Sequence, residues 1–388
     1  MLTAEGCLER RKNLWSRIPT GVDWVLIGDA RHVQYFSNFR INPVSFSADQ
    51  RCLLLLQRSG AATLLADNFA RRTAVNDPVV DDEIIIPWYT HKKSVTNRDH
   101  ALLTALEGCR NRWSTTNGLV EAEGVTQAVA AVVAENTLPL PMSGQDQSLS
   151  SVGTLIRELR RQKLPDEIAL LKRCMSAGHA GHAAAFSAAK AGATELEVYL
   201  STQRAAELSA GCACVVYGDF RATNAEVHKA GGLPTEYALR GGDLFIADYS
   251  VIIHGYRSDF TNTIAVGDPT DDQSRQFEAC RGALLAAESV LKAGIRASEV
   301  YDVASAVLLD RGYPALTHHC GHGLGMEHPE PPILVPESDD VLRDGDVITL
   351  EPGLYINGVG GMRFEHNYAV TPIGAERLSN HHIGLTEV

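Results

Sequence analysis

Two stretches far apart in this chain are built on one plan. Arg240-Gly241-Gly242-Asp243-Leu244-Phe245-Ile246-Ala247-Asp248 and Arg343-Asp344-Gly345-Asp346-Val347-Ile348-Thr349-Leu350-Glu351 each start with a Gly-Asp turn. Each then runs through an apolar strand and delivers a carboxylate at the same offset. A Gly-Asp pair before an apolar run is a common turn-to-strand signal, so one match alone proves little. A second match follows in the same order, Arg257-Ser258-Asp259 in the first copy and Arg363-Phe364-Glu365 in the second. The economical reading is two similar half-domains that face each other and contribute two acids each to a shared site.

These acids stand next to glycine or inside short apolar runs, where an unpaired carboxylate is expensive to bury. Residues an even number apart in a strand share a face. A return through His254-Gly255-Tyr256 therefore brings Asp259 beside Asp248. Two such carboxylates without a cation repel each other, and one stays protonated. A pair of divalent ions removes the conflict. The oxygen-rich donor set suits Mn²⁺, Co²⁺ or Zn²⁺. His322, within Gly321-His322-Gly323-Leu324-Gly325, adds a nitrogen donor, and its glycine neighbours allow close backbone approach. Two metals that activate water make the chain a hydrolase candidate.

The rest of the chain limits the alternatives. Its 388 residues are enough for two domains, and 45% hydrophobic with 21% charged residues describes an ordinary folded chain. A formal net charge of -12 argues against a nucleic-acid partner, which would need a basic face. The segment Met1–Lys12 has no apolar core of signal-peptide length, and no run approaches a membrane span. No membrane partner and a cytoplasmic location are expected. The eight cysteines are scattered. Cys212-Ala213-Cys214 reads as part of a strand with both thiols on one face, and Cys320 reads as a packing residue beside the site.

Strand and helix signals alternate in the first third. Leu8–Ile18 is amphipathic, Trp24–Ile27 and Glu83–Pro87 read as strands, and Cys52–Leu56 and Ala62–Ala66 flank the hairpin signal Arg58-Ser59-Gly60. This texture indicates an α/β layer domain over 1–150. Leu138–Gln145 has the composition of a linker. From Ser151 the texture changes to long helical stretches. Pro165 stands at a helix start, and Thr194 with Glu197 forms a capping box. Gln273–Lys292 and Ser298–Leu309 are amphipathic, and the acid-bearing strands lie between these helices.

Taken as an ordered set, the motifs resemble the two-domain pita-bread metallohydrolases, the branch with aminopeptidase P, prolidase and creatinase. The motifs are Ile246-Ala247-Asp248, Gly255-Tyr256-Arg257-Ser258-Asp259, His318–Gly325, Glu351-Pro352-Gly353-Leu354-Tyr355 and Gly361-Met362-Arg363-Phe364-Glu365. The resemblance covers the chain from about Ser151 onward. It implies an α+β architecture, with a creatinase-like α/β domain over 1–150 and a pita-bread catalytic domain over 151–388.

Carried over by position, the resemblance implies that Asp259 and Glu365 bridge two metals. Asp248 would bind one of them, and His322 with Glu351 the other. His228 takes the place of the family's proton-handling histidine, while His318 and His328 match histidines that hold substrate. Arg363 supports the site electrostatically, and Glu351 is also a candidate to assist departure of the leaving nitrogen. His319, His366, His381 and His382 read as surface or supporting residues.

The activity implied is hydrolysis of Xaa-Pro bonds in small peptides, by an aminopeptidase or a dipeptidase that acts as a homodimer. The alternatives are a small non-peptide substrate, as for creatinase or a sulfonium-propionate lyase, and a non-catalytic binding module. The sequence departs from the family pattern where substrate is held. Ser250 stands where glycine is usual, and His366 follows Glu365 where Asp or Asn is usual.

Overall fold

The computed structural model describes residues 1–45, 51–92, 99–144 and 147–386. The chain divides into two units, Met1–Arg160 and Arg161–Val388.

The first unit contains α1 (Ala4–Arg17), β1 (Trp24–Ile27), α2 (Ala30–Ser37), β2 (Cys52–Gln57), β3 (Ala62–Asp67), α3 (Asn68–Arg72), β4 (Asp82–Ile86), α4 (Asp99–Gly108), β5 (Gly118–Val120), α5 (Gln127–Val133), β6 (Met142–Gly144) and β7 (Gln147–Leu149). It is followed by α6 (Val152–Arg161), whose last residue opens the second unit. Five strands form one sheet in the order β4-β3-β2-β1-β5, with β3–β4 and β1–β5 parallel and the other two pairings antiparallel. Its strands are near-continuous apolar runs because helices cover the sheet. One core gathers Trp24, Leu26, Leu55 and Leu65 with Leu102, Leu106 and Trp113. The expected linker is structured in part. Met142–Gly144 forms the antiparallel strand β6 against β7, while Gln145 lies outside the described residues.

The second unit holds α7 (Pro165–Ala188), α8 (Glu195–Ala210), β8 (Val215–Thr223), β9 (Leu244–Ile253), β10 (Tyr256–Arg257), β11 (Phe260–Ala265), α9 (Asp271–Val290), α10 (Ala297–Asp310), β12 (Gly321–Gly323), β13 (Glu330–Leu334), β14 (Val347–Leu350), β15 (Gly353–Ile356), β16 (Gly360–Arg363), β17 (His366–Thr371) and β18 (Gly374–Arg377). Local chemistry starts the helices. Pro165 is the first residue of α7, where its missing N–H costs nothing, and Glu167 reaches back to the Leu164 N–H at 2.9 Å. At α8 the Thr194 hydroxyl accepts from the Glu197 N–H at 3.1 Å, and Glu197 accepts from the Thr194 N–H at 2.7 Å.

The unit has two halves. In the first, β8 and β11 flank β9, with β10 continuing the register of β11. The odd-numbered side of β9 packs on α7, where Tyr249 donates to the Gly178 carbonyl at 2.6 Å. In the second half the sheet order is β13-β12-β14-β17-β18. A core of α9 and α10 residues, among them Ala283, Leu284 and Leu308, packs with Ile348, Leu350, Tyr368 and Val370 of that sheet.

The strand expected over Cys212–Cys214 is not formed. Gly211 caps α8 in the left-handed region (φ 67°), and the chain must turn before β8 begins at Val215. Cys212 is consequently half-exposed and Cys214 buried. All eight cysteines are unbridged. Among the described residues, no helix is long and apolar enough to cross a membrane.

Candidate metal centre

The first half presents its acids from strands. Asp248 lies mid-β9, between Asp219 of β8 and Thr261 of β11. The register runs on through Ser258, whose N–H donates to the Val251 carbonyl at 3.1 Å. Asp259 is thereby placed opposite Ser250, whose hydroxyl is 3.5 Å from its carboxylate. Residues two apart share a face, so Asp248 and Asp259 emerge on the side of the sheet away from α7.

The second half presents its acids from strand ends. The β14–β17 pairing closes at Leu350 opposite His366, which leaves Glu351 and Glu365 together just beyond it. His322 sits in β12. A side chain at Gly321 would run into the Thr349 carbonyl, and one at Gly323 into that of Pro331, so neither position admits a Cβ.

Direct bonds lock the halves to each other. Thr261 donates its hydroxyl to Glu365 at 2.6 Å, and the Glu365 N–H donates to the Thr261 carbonyl at 3.0 Å. Asn367 accepts from the Asp259 N–H at 3.0 Å and donates to the Asp259 carbonyl.

Donor atoms of Asp248, Asp259 and Glu365 all lie within 4.8 Å of one another. The same holds for Asp259, His322 and His328, and for His318, His319 and Glu351. Asp259 belongs to two of these groups. His322 ties in Glu351, its Nε2 being 3.3 Å from Glu351 Oε1 and 3.6 Å from Asp259 Oδ2.

The tautomer of His322 defines what this cluster needs. His322 Nδ1 is 2.8 Å from the Gly323 carbonyl oxygen, which can only accept, so Nδ1 carries the hydrogen. The Nε2 lone pair then faces two carboxylates that are also acceptors. Protonating the ring would relieve the conflict, but burial lowers its pKa against the pull of Glu351 and Asp259. Glu365 Oε1 is also buried without a partner. Divalent cations among these lone pairs would satisfy them, and the mixed oxygen and nitrogen donors fit such ions.

The electrostatics of the four acids are uneven. Burial raises the Asp248 carboxyl to about 6; Arg363 opposes the shift, and Asp259, Glu351 and Asp219 add to it. Glu365 is pushed well up by burial and by the neighbouring carboxylates of Asp259, Glu351 and Asp248. Burial also acts to raise Glu351, but His319, His322 and Arg363 outweigh it and hold that carboxyl well below the usual range.

Around this centre, Arg363 donates to Asp248 and to the Tyr355 hydroxyl, the latter at 2.8 Å, and lies 3.6 Å from Asp219. His328 Nε2 is 3.0 Å from Asp259, and that carboxylate raises the ring's pKa despite burial. His318 donates Nδ1–H to the His319 carbonyl at 2.7 Å. Its Nε2 is buried without a partner, and burial lowers its pKa to about 4.

Of the residues expected at the site, Asp248, Asp259, His322, Glu351 and Glu365 come together, with His318, His328 and Arg363 around them. His228 stands apart from the three donor groups. It lies on the loop after β8, its carbonyl against Gly361, and its ring has no hydrogen bond or ion pair among the described residues. His319 comes closer than expected, with Nδ1 3.3 Å from Glu351. His366 and His381 are buried, their rings edge-on at 4.6 Å. Thr261 and Asp219 lie outside the sequence motifs, and Tyr355 stands in one without an expected role. Thr261 alone had a usable signal, its two-residue offset from Asp259 in a strand.

Residues 169–372, more than half the chain, match metallopeptidase family M24. The chain belongs to metallopeptidase family M24. As an M24 member it is a hydrolase of the metallopeptidase type, and the family implies divalent metal ions. The M24 chain is 30% identical over 265 residues to a Xaa-Pro dipeptidase of Pyrococcus horikoshii, covering 65% of this chain and 74% of that one. It is also 30% identical over 239 residues to a Xaa-Pro dipeptidase of Pyrococcus furiosus, covering 60% and 67%.

Among solved structures, a Xaa-Pro dipeptidase from Bacillus anthracis superposes with a TM-score of 0.76 at 22% identity, covering 100% of both chains. An X-Pro aminopeptidase from Thermotoga maritima also gives 0.76, at 20% identity, covering 98% of this chain and 99% of that one. These likenesses establish the fold of the M24 chain, an N-terminal α/β domain followed by a pita-bread domain.

Proposed function

We propose that this chain hydrolyses Xaa-Pro bonds in small peptides with two divalent cations, Mn²⁺, Co²⁺ or Zn²⁺. In this reading Asp259 and Glu365 would be ligands common to both ions, Asp248 would hold one, and His322 with Glu351 would hold the other. The observation that carries it is the His322 Nε2 lone pair facing two carboxylates, an arrangement that only a cation or a disfavoured proton satisfies. When bound, the ions supply Lewis acidity and lower the pKa of water.

The remaining roles belong to the chain's own side chains. Arg363 fixes Asp248 in place. His318 and His328 border the acids and orient the peptide, His318 with an unused nitrogen. His228 is the one histidine of the set whose ring makes no hydrogen bond or ion pair among the described residues. We assign it the proton transfer to the departing proline nitrogen, a contribution typically worth ~10²–10⁴-fold. Water's oxygen joins the scissile carbonyl carbon, the C–N bond breaks, and the nitrogen leaves with the proton. Residues 1–150 contribute none of these groups. A homodimer in the cytoplasm, with that domain limiting substrate length, completes the reading.

The test is purified protein loaded with each cation in turn and offered Xaa-Pro dipeptides, Xaa-Pro tripeptides and matched Xaa-Ala controls. Metal-dependent turnover confined to the Xaa-Pro substrates is expected. Equal turnover of Xaa-Ala controls, or none with any cation, would refute the assignment.

A further inference from the structure

Helix α8 carries apolar residues on two sides. Its inner side, with Val198, Thr202, Ala206 and Ala210 buried, packs on α7. A helix with one packed side normally shows charged and polar residues on the other. Here Leu196, Leu200, Arg204 and Leu208 recur every fourth residue along the outer side. Leu200 is 53% exposed and Leu208 68%, so the stripe faces solvent. Contiguous exposed apolar surface of this kind marks an interaction site.

The stripe also has a shape. It borders a groove of about 480 Å³. Leu200, Gln203, Arg204 and Glu207 surround one end of the groove, at i, i+3, i+4 and i+7 of the helix. Four residues at that spacing form the hole that accepts one side chain from a facing helix. At the other end the helix stops at Gly211, which has no side chain and lies in the left-handed region (φ 67°). Cys212 and Ala213 continue the wall there. Arg173 of α7 fixes this turn by donating to the Ala210 carbonyl at 2.9 Å.

The side chain that fits the hole is Leu208 of a second α8 running antiparallel. A two-fold axis near Ala205 and Ala206 sets Leu208 of each copy into the hole of the other. The same operation lays each Leu200 over the partner's Gly211, where the missing side chain leaves room. It also brings Arg204 against the partner's Glu207, twice. Both charges are available for this. Arg204 is exposed and makes no hydrogen bond or ion pair among the described residues. The Glu207 carboxylate is hydrogen-bonded, among the described residues, only to the Gln203 amide, at 3.3 Å.

We propose that α8 is a self-complementary interface through which two copies of this chain pair, with Leu208 as the anchor and reciprocal Arg204–Glu207 ion pairs fixing the register. The leucines supply the apolar burial, and the charges disfavour registers in which like meets like. This gives a surface to the homodimer of the preceding reading and is independent of metals and substrate. The helix is about 24 Å long, so by itself it buries less than the ~800 Å² per partner of a standard interface. Pairing is therefore reversible, in about the micromolar range.

Sedimentation equilibrium of the full-length chain between about 1 and about 100 μM tests this. Wild type should form a concentration-dependent dimer. Leu208→Glu should be monomeric throughout while keeping its melting temperature, because the side chain is exposed in one copy. Arg204→Glu and Glu207→Arg should each weaken the dimer by about 10-fold or more, since like charges then meet across the axis. Mixed in equal amounts, these two variants should pair again, because every ion pair in the mixed dimer joins opposite charges. No effect confined to one chain can produce that recovery. A wild type that is monomeric at every concentration would overturn both this surface and the homodimer. A dimer that survives Leu208→Glu, or charge variants that either leave it unweakened or fail to recover when mixed, would overturn the α8 surface and assign the homodimer to another face.

Discussion

The two halves of the catalytic unit start from the same Gly-Asp turn and strand, yet they deliver their acids differently. In the first half the return from β9 is the short turn at His254-Gly255, and both acids stand on one sheet face. In the second half the return from β14 is an inserted hairpin, β15–β16, and both acids stand past the strand ends. That hairpin ends in Arg363, which crosses back to Asp248 of the first half. The halves also differ in electrostatics. Glu351 is held ionised by histidines, whereas Asp248 is raised by burial with a single arginine against it. On the proposed assignment, the shared plan would give two unlike metal positions, one oxygen-only and dependent on an arginine, the other mixed with nitrogen and supported by imidazoles.

The largest effects should come from the acids assigned as bridges. Asp259→Ala in the first half and Glu365→Ala in the second should each abolish metal retention and all measurable turnover, because each removes a ligand common to both ions. Elemental analysis is the check. Two full equivalents on either variant would break the shared assignment and make the halves independent sites.

A smaller effect distinguishes the two positions. Asp248, raised to about 6, is protonated below that pH in the metal-free protein and must release its proton to bind. Glu351 stays ionised throughout this range. Glu365, common to both positions, is also pushed up, so lowering the pH from about 7 to about 5 should weaken both, but the Asp248 side more, and one equivalent should leave first. Equilibrium dialysis followed by metal analysis would show it. Loss of both equivalents in one step would make the positions electrostatically alike.

The smallest effect concerns the hairpin. Tyr355→Phe removes one hydrogen bond to Arg363 and leaves the Asp248 contact in place, so kcat/KM should fall by about 5-fold, in line with about 1 kcal/mol for a single bond. An unchanged rate would mean that the arginine needs no support from the second half.

The acids and His322 are legible in the sequence because each ends or follows an apolar run bounded by glycine, a pattern that survives without knowledge of the fold. Asp219 is not legible in this way. Its position depends on how β8 registers with β9, and the long segment 224–243 between them leaves that register open. The His318-His319 pair is ambiguous in sequence for a similar reason, since only the path of the chain into β12 decides which ring meets Glu351. In the first unit the strands and the β2–β3 hairpin are legible, but the order of the sheet is not. Its strands are apolar on both faces, so alternation gives no register.

The bonds between Thr261 and Glu365, and between Asp259 and Asn367, have a consequence for how the site comes into being. They join residues 104 and 108 positions apart, so the centre forms only after contacts very distant in sequence have closed. Long-range pairing of this kind forms slowly. A growing chain that has already made Asp248 and Asp259 holds half of an ion site with nothing to complete it until Glu365 and Asn367 have emerged and folded back. On the proposed assignment, metal capture by this fold would be a late event in biosynthesis, coincident with the joining of the halves.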